Sequence, residues 1–306
     1  MKLDLNKLDS PLGAIVNGWE PSEALDETDR AEICDLLAEH SVLVFRGNRQ
    51  PEDTELVDFA NGFGELIKGS EWFQDNGDYA EILRVNNITD KDGMPEGTGG
   101  SMQLGWHADY SYVPTVGLES FLNAVELPPE PPHTCFCSQY DAFDSLPESM
   151  VDMLRPLRAF HSVSDVIYDE DADADKSVDD LNNSVTGQVK ADFLKKRAKN
   201  LELGIEKPRI PTAGHPVIMR HPRNGREILY ISPQITKCII GMPRDESDDL
   251  IAELCAHSTK AENVYSHDWE VGDLVMFDTL GTMHRRDSWN PSQRRVMRQL
   301  STLLVN

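Results

Sequence analysis

Short runs of β-branched and aliphatic residues, each bounded by turn residues, recur from residue 121 towards the C-terminus. They lie at residues 121–127, 134–139, 216–220, 227–231, 273–278 and 295–300. Runs of this length and composition are typical of β-strands. Between the third and fourth runs, Asn224-Gly225 predicts a type I′ hairpin turn. A chain with many short strands is expected to fold as a β-sandwich or jelly roll.

The N-terminal part instead favours helices around a single strand. Residues 22–40 carry apolar side chains at helical spacing, with Ser22 as the expected N-cap. Residues 41–47 predict a buried strand that ends at glycine, and residues 51–66 predict a second helix. We find no repeat and no linker, so we expect one mainly β domain over residues 1–306, with helices packed outside.

The charge of the chain excludes several classes of partner. Its 306 residues include 53 acidic and 29 basic side chains, which gives a net charge of −24. Such a field repels phosphate backbones and anionic membranes, so we expect neither nucleic acid nor membrane as a partner. No apolar run approaches the roughly 20 residues of a membrane span, and the first residues lack a secretion signal, which predicts a cytoplasmic protein. The sequence leaves open whether the chain forms homo-oligomers.

The five cysteines are odd in number and widely scattered, which predicts reduced thiols. Cys135 and Cys137 form the only close pair, and no second pair completes a zinc site. We interpret the two as small apolar residues of one strand, with zinc binding as the minority alternative.

An acidic segment at residues 165–180 carries eight carboxylates. Its Asp-x-Asp-x-Asp run is similar to a calcium loop, but the glycine position holds Ala174 and the closing position holds Asp180 instead of glutamate. We therefore expect a solvated loop. As an insertion around residues 165–200, it would also be placed to serve as a lid over a site.

The strongest chemical signal is an H-x-D pair that follows an irregular stretch, residues 86–103. In an extended strand, residues i and i+2 point to the same face, so His107 and Asp109 can bind one metal ion together. His284 offers a second imidazole, and Arg295 follows it eleven residues later. Two imidazoles and one carboxylate form the facial triad that binds ferrous iron in oxygenases and leaves three coordination positions open.

Each of these pieces has a structural alternative when it stands alone. A histidine in a strand is more often a structural residue than a ligand, and Arg295 in so acidic a protein can form a surface ion pair. Its alternation with Met297 and Gln299 instead favours an inward-facing side chain. The combination of an H-x-D pair, a distal histidine and a following arginine favours metal binding.

The ordered set of motifs resembles the taurine dioxygenase-like (TauD/TfdA) family of iron(II)- and 2-oxoglutarate-dependent dioxygenases, over most of the chain. The motifs are Val42-Leu43-Val44-Phe45-Arg46-Gly47, Trp106-His107-Ala108-Asp109, Glu126-Leu127-Pro128 with Thr134, His221-Pro222-Arg223-Asn224-Gly225-Arg226, Gly272-Asp273-Leu274, His284 and Arg294-Arg295-Val296-Met297. The resemblance implies a double-stranded β-helix, a cupin-like jelly roll with the iron inside its mouth.

The resemblance also implies roles for the matching positions. His107, Asp109 and His284 match the iron ligands. Arg295 matches the arginine that pairs with the far carboxylate of 2-oxoglutarate, and Thr134 matches the threonine that supports it. The implied reaction uses dioxygen to oxidise, normally to hydroxylate, an unactivated C–H bond of a small molecule, and it releases succinate and carbon dioxide. The carboxylate of Asp109 disfavours halogenation, whereas desaturation, ring closure and oxidative cleavage remain open.

Two positions depart from the taurine pattern. Gln299 stands where taurine dioxygenase has a second arginine for the sulfonate, and the arginine has moved to Arg298, on the opposite strand face. Gln103 occupies the position, four residues before the first ligand, where the family has a substrate contact. With Gln103 and Gln299 as the expected substrate residues, we expect a substrate that is larger or less anionic than taurine.

Two other classes of protein can use the same fold or triad. One is a non-catalytic jelly-roll protein that binds a metal or acts as a sensor, and the other is a metal-dependent hydrolase. Neither needs an anchor for a keto acid, so Arg295 and Thr134 count against both. The chain also lacks the G-x-S-x-G turn of a serine hydrolase.

Overall fold

The computed structural model of the protein describes residues 3–163 and 185–304, which contain eighteen strands and seven α-helices. The strands are β1 (Asp4–Lys7), β2 (Ala14–Asn17), β3 (Val42–Phe45), β4 (Glu65–Leu66), β5 (Leu83–Asn86), β6 (Thr98–Gly99), β7 (Leu104–His107), β8 (Gly117–Glu126), β9 (Thr134–Ser138), β10 (Arg158–His161), β11 (Ala213–Pro216), β12 (Ile218–Arg220), β13 (Glu227–Leu229), β14 (Thr236–Ile239), β15 (Val264–His267), β16 (Leu274–Asp278), β17 (Thr282–Arg286) and β18 (Val296–Leu303). The helices are α1 (Glu27–His40), α2 (Asp53–Asn61), α3 (Gly69–Trp72), α4 (Gln139–Asp144), α5 (Glu148–Leu154), α6 (Val185–Glu202) and α7 (Arg244–Ser258).

Two sheets packed face to face form the jelly roll. The larger has nine strands in the order β1-β2-β3-β16-β8-β18-β5-β6, with β4 paired to β18. The smaller has four strands in the order β15-β9-β17-β7. Two further small sheets, β11-β10-β14 and β12-β13, lie beside them. The predicted mainly β architecture with peripheral helices is therefore confirmed.

Strict alternation along the central strands separates two apolar cores. Val44 and Phe277 point into the space between the two sheets, where Phe277 packs on Phe136 with ring centres 5.2 Å apart. Leu43 and Met276 point the opposite way and pack under α1 and α2. Each such side chain contributes about 1.5–3 kcal/mol when fully buried, so both faces of these strands are fixed. The predicted buried strand at residues 41–47 is confirmed as β3.

The predicted start of the first helix was wrong. Ser22 does not cap it; α1 begins at Glu27 with Asp26 as its N-cap. The Asp26 side chain accepts a hydrogen bond from the Asp29 amide at 2.8 Å, and the Asp29 carboxylate accepts one from the Asp26 amide at 3.4 Å. This reciprocal capping satisfies two amide donors that the first turn of a helix otherwise leaves free. The second predicted helix is confirmed, with the shorter bounds of α2.

The predicted type I′ turn was also wrong. Strands β12 and β13 do pair, but Arg220 lies opposite Glu227, so a six-residue loop connects them. Gly225 has a φ of +72°, but the φ of Asn224 is not positive. A type I′ turn requires a positive φ at both central positions. The Asn224 side chain instead donates to the Tyr140 hydroxyl at 2.8 Å, so a tertiary contact overrides the local turn preference.

Helix α6 packs beside the open end of the jelly roll and is fixed there by polar contacts. The Lys196 ammonium donates to the Gly97 carbonyl at 2.8 Å, and the Asn200 amide donates to the Gln74 carbonyl at 3.2 Å. Both contacts are buried, so they hold the helix on the loops that surround the site. None of the described helices is both long and apolar enough to cross a membrane.

The cysteines agree with the sequence analysis, whereas the acidic segment lies outside the part of the chain that the structure describes. All five cysteines are free thiols, and Cys135 and Cys137 are buried on β9, in agreement with their interpretation as small apolar residues. The acidic run at residues 165–180, with its calcium-like spacing, lies outside the described residues. The lid expected around residues 165–200 is described only from residue 185 onwards.

Candidate metal centre

Neighbouring strands of the smaller sheet place two histidines side by side. In the antiparallel pairing of β7 with β17, His284 lies directly opposite His107, and the ring centres are 4.2 Å apart. Asp109 follows β7, and its Oδ1 lies 3.7 Å from His107 Nε2 and 3.9 Å from His284 Nε2. Over the ranges that the structure describes, this is the only group of three such side chains whose ligand atoms all lie within 4.8 Å of one another.

Both imidazoles present their Nε2 atoms to the Asp109 carboxylate. The Nδ1 of His107 donates to the Gly105 carbonyl at 2.7 Å, so Nε2 is the nitrogen that faces Asp109. Burial, together with the nearby charges of His107 and Arg286, lowers the pKa of His284 well below its ordinary value. His284 is therefore uncharged at neutral pH, and the neutral imidazole is the form that binds a metal ion.

The Asp109 carboxylate presents one oxygen to the histidines and one to an amide. Burial raises the pKa of Asp109, while the charge of His107 and hydrogen bonds with Ser120 and Gln299 oppose that rise. Gln299 Nε2 donates to Oδ2 at 2.6 Å, so Oδ1 is the oxygen that faces both imidazoles. A divalent cation beside Oδ1 would favour the ionised carboxylate further.

The three donors fit a divalent transition-metal ion. The Asp109 Oδ1 atom lies 3.7 and 3.9 Å from the two Nε2 atoms, so the three side chains are close enough to hold one divalent ion together. Two imidazole nitrogens and one carboxylate oxygen on one side of the ion are the donor set of ferrous oxygenase sites. All three residues line a cavity of about 210 Å³.

The walls of this cavity are mainly apolar. They include Phe73, Tyr110, Tyr112, Leu122, Val189 and Ile235. Of the two glutamines expected to contact substrate, Gln299 lines the cavity but is engaged with Asp109, and Gln103 is exposed and absent from the lining. An apolar wall with few polar groups is typical of a small-molecule site.

One end of the cavity is positively charged. Arg295 is 1% exposed, and burial together with the neighbouring Arg286 lowers its pKa to about 9. Its Nε and Nη2 have no hydrogen-bond partner among the described residues. Thr134 also lines this end, and its hydroxyl oxygen accepts a hydrogen bond from Trp269 Nε1 at 3.0 Å. Since the ring of Trp269 lies 6.0 Å from the Arg295 guanidinium, Thr134 and Arg295 are brought to the same part of the cavity.

Arg286 also lines the cavity, although no sequence motif had indicated a role for it. It is the last residue of β17, two positions after His284 and on the same face. Its Nη2 donates to the carbonyls of Gly99, at 3.1 Å, and Met102. The i, i+2 spacing from a predicted ligand was the available signal, but it does not reveal which residue lies opposite on the next strand.

Comparison with known proteins finds matches along almost the whole chain. Residues 4–301 match the family described as taurine catabolism dioxygenase TauD, TfdA family. The chain is 35% identical over 304 residues to pentalenolactone F synthase of Streptomyces avermitilis, with 96% of this chain and 92% of that protein covered. It is 30% identical over 312 residues to the alpha-ketoglutarate-dependent 2,4-dichlorophenoxyacetate dioxygenase of Cupriavidus pinatubonensis, with 99% and 98% covered. Its fold is similar to that of AAD-2, crystallised with Mn(II) and N-oxalylglycine, at a TM-score of 0.73, 23% identity and coverage of 100% and 99%.

Proposed function

The chain belongs to the TauD/TfdA family of dioxygenases, and we propose that it is an iron(II)- and 2-oxoglutarate-dependent enzyme that hydroxylates a C–H bond of a small, largely apolar molecule. Dioxygen is the second co-substrate, and succinate and carbon dioxide are the co-products. The observation that carries this proposal is the meeting of His107, Asp109 and His284 at one wall of a cavity that Thr134 and Arg295 also line.

We assign His107, Asp109 and His284 as the iron ligands. Iron, when bound, would supply the redox chemistry that activates dioxygen together with the keto acid. The role of the protein is then to fix geometry. The hydrogen bond from His107 Nδ1 to Gly105 holds one ring in place, and the bond from Gln299 holds the carboxylate of Asp109. Such outer contacts keep the ligands oriented before the metal arrives.

We assign Arg295 and Thr134 to the far carboxylate of 2-oxoglutarate. A planar guanidinium can donate two parallel hydrogen bonds to a carboxylate, and Arg295 Nε and Nη2 have no other partner among the described residues. The Thr134 oxygen already accepts from Trp269, so its own proton remains available to donate. A carboxylate here would offset the cost of keeping Arg295 buried.

The apolar walls would place the substrate and exclude water from the reacting C–H bond. The names of the two relatives, a pentalenolactone synthase and a phenoxyacetate dioxygenase, support a small organic substrate. Because the Gln299 amide binds Asp109 and Gln103 is exposed, we now assign shape recognition to residues such as Phe73, Tyr112 and Ile235. The absence of an arginine at position 299 still argues against taurine as the substrate.

Succinate formation tests this proposal. The purified protein is incubated with iron(II), ascorbate and 2-oxoglutarate, first alone and then with a panel of small carboxylic acids, lactones, terpenoids and aryloxy acids. We expect slow succinate release when no candidate substrate is present and faster release with a true substrate. Hydrolysis supported by zinc without a keto acid would favour the hydrolase alternative, and metal binding without any succinate would favour a non-catalytic protein.

A further inference from the structure

Arg286 is a buried cation that the fold does not neutralise. It is 3% exposed. In residues 3–163 and 185–304, no carboxylate lies within ion-pair distance of its guanidinium, and only Nη2 is satisfied, by two backbone carbonyls. Its Nε and Nη1 are buried without a partner in the same ranges. An unpaired buried charge is costly, so an arginine in this state calls for a ligand.

The strand register places Arg286 beside the groups assigned to 2-oxoglutarate. In the pairing of β17 with β9, Arg286 lies directly opposite Thr134. Paired residues of an antiparallel sheet project from the same face with Cβ atoms roughly 5 Å apart. The guanidinium carbons of Arg286 and Arg295 lie 4.5 and 5.5 Å from the centre of the same ring, that of Trp289. Three polar side chains from two sheets therefore border one end of the cavity.

The two guanidiniums also influence each other through charge. Both are buried cations that line the same cavity. Two buried cations that repel each other are stabilised together by an anion that both contact. A carboxylate has two oxygens and roughly four acceptor positions, so it can accept from both guanidiniums and from the Thr134 hydroxyl.

We propose that Arg286 is a second arginine of the co-substrate site and binds the same far carboxylate of 2-oxoglutarate as Arg295. This inference rests on the proposed function, since it takes Arg295 and Thr134 as the anchor of the keto acid. The contacts of Nη2 with Gly99 and Met102 fix the orientation of the guanidinium and leave Nε and Nη1 for the ligand.

Binding measurements without turnover test the role of Arg286. The wild type, Arg286→Gln, Arg286→Lys and the control Arg285→Gln are loaded with Mn(II) and titrated calorimetrically with 2-oxoglutarate and with pyruvate, which lacks the far carboxylate. Arg285 is the matched control because it points outward on the same strand, to Asp287 and the ring of Trp106. We expect Arg286→Gln to weaken 2-oxoglutarate by about 30-fold or more, the loss typical of one partner of a buried charge pair.

Several further results accompany this outcome. Arg286→Lys, which keeps the charge but loses the planar fork, should weaken 2-oxoglutarate several-fold. Pyruvate and Mn(II) should bind all variants equally. If Arg286→Gln does not fold, as judged by circular dichroism, Arg286→Lys decides the question, and wild-type affinity in that variant would overturn the proposal.

Other outcomes separate this inference from the function on which it rests. If Arg286→Gln binds 2-oxoglutarate as tightly as Arg285→Gln does, the inference fails while the dioxygenase proposal stands. The inference would also be overturned if Arg286→Gln binds 2-oxoglutarate normally but an anionic substrate no longer increases its succinate formation. That result would assign Arg286 to the substrate. A wild-type protein that does not bind 2-oxoglutarate with Mn(II) would instead contradict the proposed function itself.

Discussion

Two clusters of buried or half-buried ionisable side chains in this jelly roll differ in how the fold satisfies them. In the first, the closed cluster of Arg46, His267 and Asp273, every member is paired. Arg46 donates to both Asp273 oxygens, at 2.8 and 2.6 Å, and His267 Nε2 lies 3.2 Å from one of them, while its Nδ1 contacts the Tyr265 hydroxyl at 2.8 Å. This cluster needs nothing beyond the chain.

The second is the open cluster of His284, Arg286 and Arg295. The described residues do not supply hydrogen-bond partners for all of its buried nitrogens. Two nitrogens of each arginine are buried without a hydrogen-bond partner there, and the Nε2 of His284 faces the proposed metal position beside Asp109. Both clusters contain a buried histidine whose pKa is lowered mainly by burial, so burial and pKa alone do not separate them. The hydrogen-bond partners separate them. We infer that the closed cluster, which is fully paired, stabilises the fold, and that the open cluster binds ligands.

The two histidines give the largest predicted contrast. His284→Ala should lower metal affinity by more than the roughly 10–100-fold that loss of an outer contact costs, because a proposed ligand itself is removed, and succinate formation should fall to background. His267→Ala should retain metal affinity and lose thermal stability instead. Metal titration and thermal unfolding of both variants test the contrast, and equal metal affinities would break it.

The arginines should separate in the same way. Arg295→Gln is expected to weaken 2-oxoglutarate by about 100-fold, within the range for truncating a buried charge pair. The stability of the ligand-free protein should stay unchanged or rise, because a buried unpaired cation is removed. Its neighbour Arg294, which is exposed and pairs with Glu126, supplies the control Arg294→Gln.

Arg46→Gln should show the opposite behaviour. It leaves Asp273 buried with a lost partner, so we expect unfolding free energy to fall by about 3 kcal/mol, the lower end for a broken buried pair because Arg46 is 23% exposed. Co-substrate affinity should not change. Urea unfolding and calorimetry are the measurements, and a stability loss in Arg295→Gln as large as in Arg46→Gln would contradict the distinction between the clusters.

A smaller effect is expected for the amide that joins the strand of Arg295 to the metal site. Gln299→Leu removes the hydrogen bond to Asp109 and should reduce metal affinity by about 10–100-fold, as for other outer contacts. Gln299→Glu tests the hydrogen bond with less change in side-chain shape, because it places a second carboxyl group beside Asp109 in place of the donating amide. If Gln299→Leu alters substrate preference and leaves metal affinity intact, Gln299 is a substrate residue, as the sequence had predicted.

The smallest predicted effect is a dependence on pH. Burial alone would raise the pKa of Asp273, but hydrogen bonds from Arg46, His267 and the Glu270 amide outweigh burial and lower it. A carboxyl with a lowered folded pKa stabilises the protein above its unfolded pKa, near 4, and that stabilisation is lost as the pH falls through the folded value. The stability gap between wild type and Asp273→Asn should therefore be widest near pH 7 and narrow below pH 4, and a gap that is constant with pH would show that Asp273 acts through packing alone.

Local patterns predicted much of this molecule. Short continuous apolar runs identified β3, β8 and β16, because both faces of these strands are largely buried. The spacing of His107 and Asp109 indicated that both could face one ion, and the resemblance added His284, Arg295 and Thr134. The structure brings these five side chains to one cavity.

The remaining features depend on pairings between distant segments. Arg286 gained its significance from lying opposite Thr134, and Gln299 from its bond to Asp109, neither of which a local pattern encodes. The Asn224-Gly225 turn failed for the same reason, because a contact with Tyr140 outweighed the local preference. Sequence spacing identifies what one strand presents, whereas the register decides which groups meet.

Helix α6 has a consequence for how such an enzyme can change. The proposed metal ligands lie on or beside paired strands, whereas Val189 reaches the cavity from a helix held on the outside by Lys196 and Asn200. Mutational libraries confined to the inward positions of this helix are therefore expected to diversify the accepted molecules while preserving the oxidation itself. Natural divergence can follow the same route, with selectivity changing on one peripheral helix and reactivity conserved in the sheet.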